Sequence, residues 1–65
     1  MNGFGNKLKE LRKNNNLTQK QLAGMLNQAQ STIVYWEKDK QEPSISSLKK
    51  ICETFSISAD YLLDL

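Results

Sequence analysis

The 65-residue chain has no histidine, one cysteine, one proline and three glycines. Without histidine, and with Cys52 alone, it lacks the usual general base, the ligand clusters of zinc sites and the Cys–His or Ser–His pairs of nucleophilic catalysis. No enzymatic activity, cofactor or metal is expected. A lone thiol also excludes an internal disulfide, and Cys52 falls in an apolar helical stripe, where it reads as a small buried hydrophobe in preference to a reactive group. Gly3-Phe4-Gly5 has neither the third glycine nor the preceding strand of a phosphate loop, and reads as a flexible terminus. No apolar run approaches the roughly 20 residues of a membrane span or resembles a secretory signal, so the expected location is the cytoplasm, with no membrane partner. Strand-like alternation, internal repeats and interdomain linkers are also missing.

What remains suits a small binding domain. At 7.4 kDa the chain has room for one domain, residues 1–65, around one thin core, and its stability is expected to be marginal without self-association or a bound partner. The net charge of +2 is unevenly spread. Residues 1–50 hold all nine Lys and Arg against four acids (Glu10, Glu37, Asp39 and Glu42), or +5, while residues 51–65 hold Glu53, Asp60 and Asp64 and no base, or −3. A basic excess confined to one part of the chain suits a phosphate-facing surface; the plainer alternative is that Lys7, Lys9, Lys13, Lys49 and Lys50 solvate helix faces.

The coarse reading is helical throughout. Phe4, Leu8 and Leu11 mark the inner stripe of a first helix, ended by Asn14-Asn15-Asn16, residues that favour caps and turns. Thr18 and Gln21 have the spacing of a capping box, and Leu17 and Leu22 that of a hydrophobic staple, so a second helix starts at Thr18 with Leu22, Ala23 and Leu26 inward and Gln19, Lys20 and Gln21 outward. Asn27 tolerates the left-handed region and breaks that helix. In the third, Ala29, Ile33 and Trp36 recur at i, i+4 and i+7 as the buried stripe, which turns Gln30, Ser31, Val34 and Tyr35 to solvent. An ordinary solvated face would carry more Glu and Lys. After a charged loop from Lys38 to Glu42 and Pro43, Ser44 caps a fourth helix through Phe55, with Leu48, Ile51, Cys52 and Phe55 inward; Ser58 caps a fifth, with Ile57 and Leu62 at staple spacing. Two short amphipathic helices joined by a tight turn, about residues 18–37, form the layout that places one helix in a DNA major groove.

Specific sequence signatures sit on that layout. They are Leu-x-x-Leu-Arg at 8–12, Leu-Thr-Gln-x-x-Leu-Ala at 17–23, Ser-Thr-Ile-x-x-Trp-Glu at 31–37, Pro-Ser-Ile-x-x-Leu at 43–48 and Ser-Ala-Asp-Tyr-Leu-Leu at 58–63. Taken together they resemble the DNA-binding domain of the phage-repressor and Cro class, the XRE-like helix-turn-helix regulators. The resemblance covers nearly the whole chain and implies an all-α, compact five-helix bundle of the lambda-repressor-like type. Where the family commonly has glycine, this chain has Asn16, Asn27 and Asp39, all residue types that tolerate positive φ. Trp36 stands where a smaller aliphatic is usual, and its indole N–H needs a partner or an exposed edge. Ala29 is a poor N-cap for the third helix.

The resemblance also implies roles. Gln30 offers an amide to adenine, and Ser31, Val34 and Tyr35 offer a hydroxyl, a methyl surface for thymine and a phenol for a base or phosphate; Tyr35 alternatively packs at a dimer surface. Gln19, at a helix N-terminus, and Lys38 and Lys40, just past the recognition helix, are the expected phosphate contacts. Arg12 and Glu37 are expected to form an internal ion pair, with a DNA contact by Arg12 as the other reading. The implied protein is a cytoplasmic, nucleoid-associated transcriptional repressor of a bacterium or phage, binding a palindromic double-stranded operator as a homodimer. Leu62, Leu63 and Leu65 offer apolar surface for the partner, or a terminus covered by further chain. The competing class is a protein-interaction or oligomerisation module of the same fold, without specific DNA binding.

Overall fold

Residues 3–65 are described by the computed structural model. Helix α1 spans Phe4–Asn14, α2 Gln19–Leu26, α3 Gln30–Glu37, α4 Ile45–Phe55 and α5 Ala59–Leu63, and the described residues include no strand. None of these helices is long and apolar enough to cross a membrane.

Local chemistry starts three of the helices. The Thr18 hydroxyl accepts from the Gln21 amide at 3.0 Å while the Gln21 side-chain oxygen accepts from the Thr18 amide at 2.8 Å, which completes the capping box. Ser44 and Ser58 cap α4 and α5 by accepting from the amides of Ser47 and Tyr61. Helix α3 begins without such help, because its N-cap is Ala29.

The helix ends share one device. Asn16, Asn27, Asp39, Ser56 and Asp64 all lie in the left-handed region, with φ between 55° and 59°. In each case the following amide reaches back five residues: Leu17 to the Arg12 carbonyl (3.0 Å), Gln28 to Ala23 (2.8 Å), Lys40 to Tyr35 (2.9 Å), Ile57 to Cys52 (3.0 Å) and Leu65 to Asp60 (2.9 Å). This is the Schellman closure, which satisfies carbonyls that a helix end leaves free. Asn and Asp suit it because their short polar side chains lower the cost of positive φ. Ser56 has less of that advantage, and the same closing bonds accompany it.

Phe4, Leu8, Leu22, Ala23, Leu26, Ile33, Trp36, Ile51 and Leu62 form the core. Four expectations need correction. Ala29 is exposed, since as the N-cap it precedes the helical stripe that Ile33 and Trp36 continue. Leu11 is only half-buried, and Arg12 takes the inner position at that level. On α4 only Ile51 is fully buried; Leu48, Cys52 and Phe55 lie at the edge of the core. Trp36 is 2% exposed, and its indole nitrogen has no hydrogen-bond partner among the described residues, neither of the two outcomes its N–H called for. Burying roughly 150–250 Å² of ring at about 25 cal/mol per Å² contributes about 4–6 kcal/mol, which exceeds the roughly 1–3 kcal/mol of an unmade N–H bond.

The expected flexible terminus at Gly3-Phe4-Gly5 is instead a packed junction. Phe4 is in the core, and Gly5 is buried with its amide donating to the Asp39 carboxylate at 3.0 Å. A Cβ on Gly5 would lie 2.5 Å from the Glu37 carbonyl oxygen and 2.8 Å from that of Trp36. The first turn of α1 therefore sits directly on the last turn of α3. Asp39 closes α3 with its backbone and caps α1 with its side chain, where the positive end of the helix dipole favours a carboxylate. Glycine at position 39 would supply only the first service.

Gly5→Ala should destabilise the fold by about 1–3 kcal/mol through overpacking against backbone. Gly24→Ala should stabilise it by about 0.5–1 kcal/mol, because Gly24 lies within α2 with open space around the added methyl. Urea unfolding of the two variants, measured side by side, checks the opposite signs.

Candidate nucleic-acid interface

Helix α3 presents two faces of different character. Ile33 and Trp36 are buried, while Gln30 and Ser31 are exposed, Tyr35 is 48% exposed and Val34 is half-buried beside them. The four outer residues stand at i, i+1, i+4 and i+5, two adjoining rows one turn apart, so they form one continuous strip. The side chains of Gln30, Ser31 and Tyr35 make no hydrogen bond or ion pair with the described residues, so their polar groups remain available to a ligand. Ala29, which the sequence reading placed inside, adds an exposed methyl at the head of this strip. Its position as a β-region N-cap is the signal that separates it from the stripe.

Anchoring of the helix is concentrated at its C-terminal end. Glu37 is 8% exposed and meets Arg12, equally buried, in a two-pronged pair: Nε to Oε2 at 2.7 Å and Nη2 to Oε1 at 3.1 Å. The remaining guanidinium nitrogen, Nη1, donates to the Leu17 carbonyl at 2.9 Å. Gln19 donates its amide to the same Glu37 Oε1 at 3.2 Å. One carboxylate thus gathers α1, the α1–α2 corner and the start of α2 onto the end of α3. Fork-to-carboxylate geometry with extra donors is the arrangement that offsets the desolvation of a buried pair.

Gln19, expected to point outward, is half-buried because of this contact. A primary amide carries two N–H donors and one acceptor, so one donor and the oxygen are still free. Lys38 and Lys40 are exposed just beyond α3 and unpaired, flanking Asp39. The structure therefore brings Arg12, Glu37 and Gln19 together in one network, groups Gln30, Ser31, Val34 and Tyr35 on one strip, and leaves the two lysines at the rim. Among the described residues no group of three or more His, Cys, Asp or Glu is placed to hold a metal ion.

At the other end of α3 the approach of α4 is polar. Gln28, in the turn after α2, is half-buried, and its amide lies 3.4 Å from the Ser47 hydroxyl, a long contact between the turn and α4. The sequence reading did not single out Gln28, which follows the left-handed Asn27.

A tight turn between two short helices, with the second held by its inner face and its outer strip open, is the geometry of a helix-turn-helix protein. Comparison with known proteins agrees: residues 5–65 match the family described as the helix-turn-helix domain, and the chain belongs to that family. It is 45% identical over 60 residues to the HTH-type transcriptional activator BcrR of Enterococcus faecalis, covering 92% of this chain and 29% of that protein. It is 36% identical over 60 residues to the HTH-type transcriptional regulator ImmR of Bacillus subtilis strain 168, covering 92% of this chain and 47% of that one. An uncharacterized HTH-type transcriptional regulator of Methanocaldococcus jannaschii is 40% identical over 55 residues, 83% of its length. The chain thus spans less than half of the first two relatives.

Removing one partner of the Arg12–Glu37 pair leaves a buried charge, so Arg12→Met and Glu37→Leu should each cost about 3–5 kcal/mol of folding stability. The double variant should recover a large part of that loss, which a double-mutant cycle by thermal or urea unfolding will show as strong non-additivity. Additive losses would mean that the two residues act independently.

Proposed function

We propose that this domain is a sequence-specific, double-stranded DNA-binding module of a transcriptional regulator, with α3 in the major groove. The observation that carries the reading is the open, unpartnered strip of Gln30, Ser31, Val34 and Tyr35 on a helix locked from behind by Ile33, Trp36 and Glu37. Recognition by base edges needs donors and acceptors that do not reorganise on binding, and an anchored helix supplies that. Gln30 pairs with adenine through its amide; Ser31 reads either donor or acceptor edges; Val34 and the Ala29 methyl meet thymine methyls; Tyr35 reaches a base or a phosphate. Gln19 uses its free N–H on a phosphate at the start of α2, where the helix dipole assists, and Lys38 and Lys40 clamp the backbone without reading sequence.

Two protomers on a palindrome are the natural stoichiometry. One copy presents one such strip, so a second copy is what reads the next major groove, about 34 Å along the same face of the duplex. Within this segment the contribution to regulation is occupancy, and repression is the corresponding outcome. A second reading, activation, is favoured by the name of the Enterococcus relative, which carries its matched domain within a chain more than three times as long. A protein-binding module would also use an exposed Tyr35, but its retention on duplex DNA would show no counterion-release slope.

Gln30→Ala should weaken specific binding by about 1–3 kcal/mol and relax preference at one position per half-site. Lys40→Ala should instead weaken all sequences alike and flatten the salt dependence. Competition titrations on single-base variants of an operator selected from random duplexes separate the two patterns; similar behaviour of both variants would overturn the roles.

Inserting five base pairs between half-sites turns one of them to the opposite face of the duplex, and affinity should fall sharply. Unchanged affinity on that spacer in gel-shift titrations would show that each domain binds alone.

A further inference from the structure

The turn that follows α3 carries opposed charges in consecutive positions. Lys38, Asp39 and Lys40 are all exposed, and neither lysine pairs with Asp39 or with any other described residue. Asp39 is held in this place twice over. Its left-handed backbone closes α3, with the Lys40 amide bonded back to the Tyr35 carbonyl at 2.9 Å, and its Oδ1 accepts from the Gly5 amide at 3.0 Å. The other carboxylate oxygen, Oδ2, has no partner among the described residues.

Neither of these bonds needs a negative charge. Asparagine enters the left-handed region as readily and offers Gly5 the same acceptor oxygen; Asn16 and Asn27 close α1 and α2 in just this conformation. The dipole of α1 gains from the charge, but at an exposed helix end that gain is small. The larger consequence falls on the neighbours. Two lysines and one aspartate sum to +1, where the lysines alone give +2. Adjacent residues lie about 3.8 Å apart along the backbone, well inside the roughly 8 Å over which salt screens a charge, so the carboxylate acts on the lysines and on any phosphate they hold.

We propose that Asp39 is an affinity-setting residue of the DNA interface: its carboxylate offsets part of the Lys38 and Lys40 clamp, so that every duplex is held more loosely than the lysines alone would hold it, with base preference untouched. The inference rests on the DNA reading above and on the phosphate contacts it gives the two lysines. Such contacts supply much of the affinity and carry no sequence information directly, so a charge placed among them scales binding to all duplexes together. The residue that joins α1 to α3 thereby also limits how tightly the domain grips.

Fluorescence-anisotropy titrations of the whole chain at about 50, 100 and 300 mM salt, on a duplex selected from random DNA and on an unrelated one, test this. Asp39→Asn should bind both duplexes about three- to tenfold tighter at the lowest salt, with the gain shrinking toward parity at the highest and the double-logarithmic salt slope steeper by up to about 1. Asp39→Gly, which keeps the turn but gives up cap and charge together, should tighten binding too, with faster hydrogen exchange at the Gly5 amide that Asp39→Asn does not show. Asp60→Asn, which removes an exposed acid of α5 and changes the net charge equally, should alter affinity less than about twofold. Equal or weaker binding by a folded Asp39 variant overturns the proposal; if losing the cap unfolds Asp39→Gly by circular dichroism, Asp39→Asn decides alone. A gain in Asp60→Asn that matches theirs overturns it as well, since net charge would then be the cause, and so does a gain confined to the selected duplex. A parent chain that holds no duplex at any of these salts removes the DNA reading itself, and this proposal with it.

Discussion

The Glu37 carboxylate is the point on which the rest of this small domain turns. It sits at the end of α3 and accepts from Arg12 of α1 and Gln19 of α2, while Arg12 reaches on to the Leu17 carbonyl at the corner between them. Burying a charged pair costs desolvation that an apolar pair would not incur, so stability alone does not account for it. Its geometry does something a hydrophobic contact does not: forked, directional bonds set the rotation and axial position of α3 relative to α1 and α2. The same bonds therefore fix where the outer side chains of α3 stand, since a shift of the helix by an ångström moves all of them together.

Beside that network lies a second junction with the same purpose. Gly5 brings the first turn of α1 onto the carbonyls of Trp36 and Glu37, and Asp39 joins the two helix ends by capping one and terminating the other. The positive end of α1 thereby faces the negative end of α3, a favourable alignment of dipoles. Trp36 fills the inner face of α3 there at the expense of its indole hydrogen bond. Both junctions act on the C-terminal half of α3, whereas its N-terminus begins at an uncapped Ala29. The outer strip of α3 is thus carried by a helix anchored through polar bonds at its C-terminal end and begun without a side-chain cap.

The bundle also separates its surfaces. Polar and aromatic groups without partners gather on α3, and unpartnered lysines lie just beyond it. The α4–α5 side combines an exposed isoleucine with one charge of each sign. Among the described residues the core has nine side chains, few to spare, and α4 commits only Ile51 fully to it, which leaves most of that helix facing outward. The thinness of the core and this exposed side are two aspects of one allocation of apolar residues.

Much of this was legible in the sequence, because the signals are local. Helix starts at Thr18, Ser44 and Ser58, the turn at Asn27, the inward Leu22, Ala23, Leu26, Ile33 and Trp36, and the outward Gln30, Ser31 and Tyr35 all depend on bonds or periodicities spanning a few residues. What sequence reasoning missed depends on groups distant along the chain. Gly5 reads as terminal slack until the end of α3 is set against it, and Asp39 reads as a turn residue until α1 presents an unpaired amide. Gln19 reads as solvent-facing until Glu37 arrives from 18 residues away, and Ala29 fits a helical stripe that begins one residue too late to bury it. Local propensity and period determine which segments become helices and which faces are apolar; only the tertiary packing decides which polar groups are spent on holding the helices and which are left to bind, because a hydrogen bond or a steric contact exists only once both partners are in place.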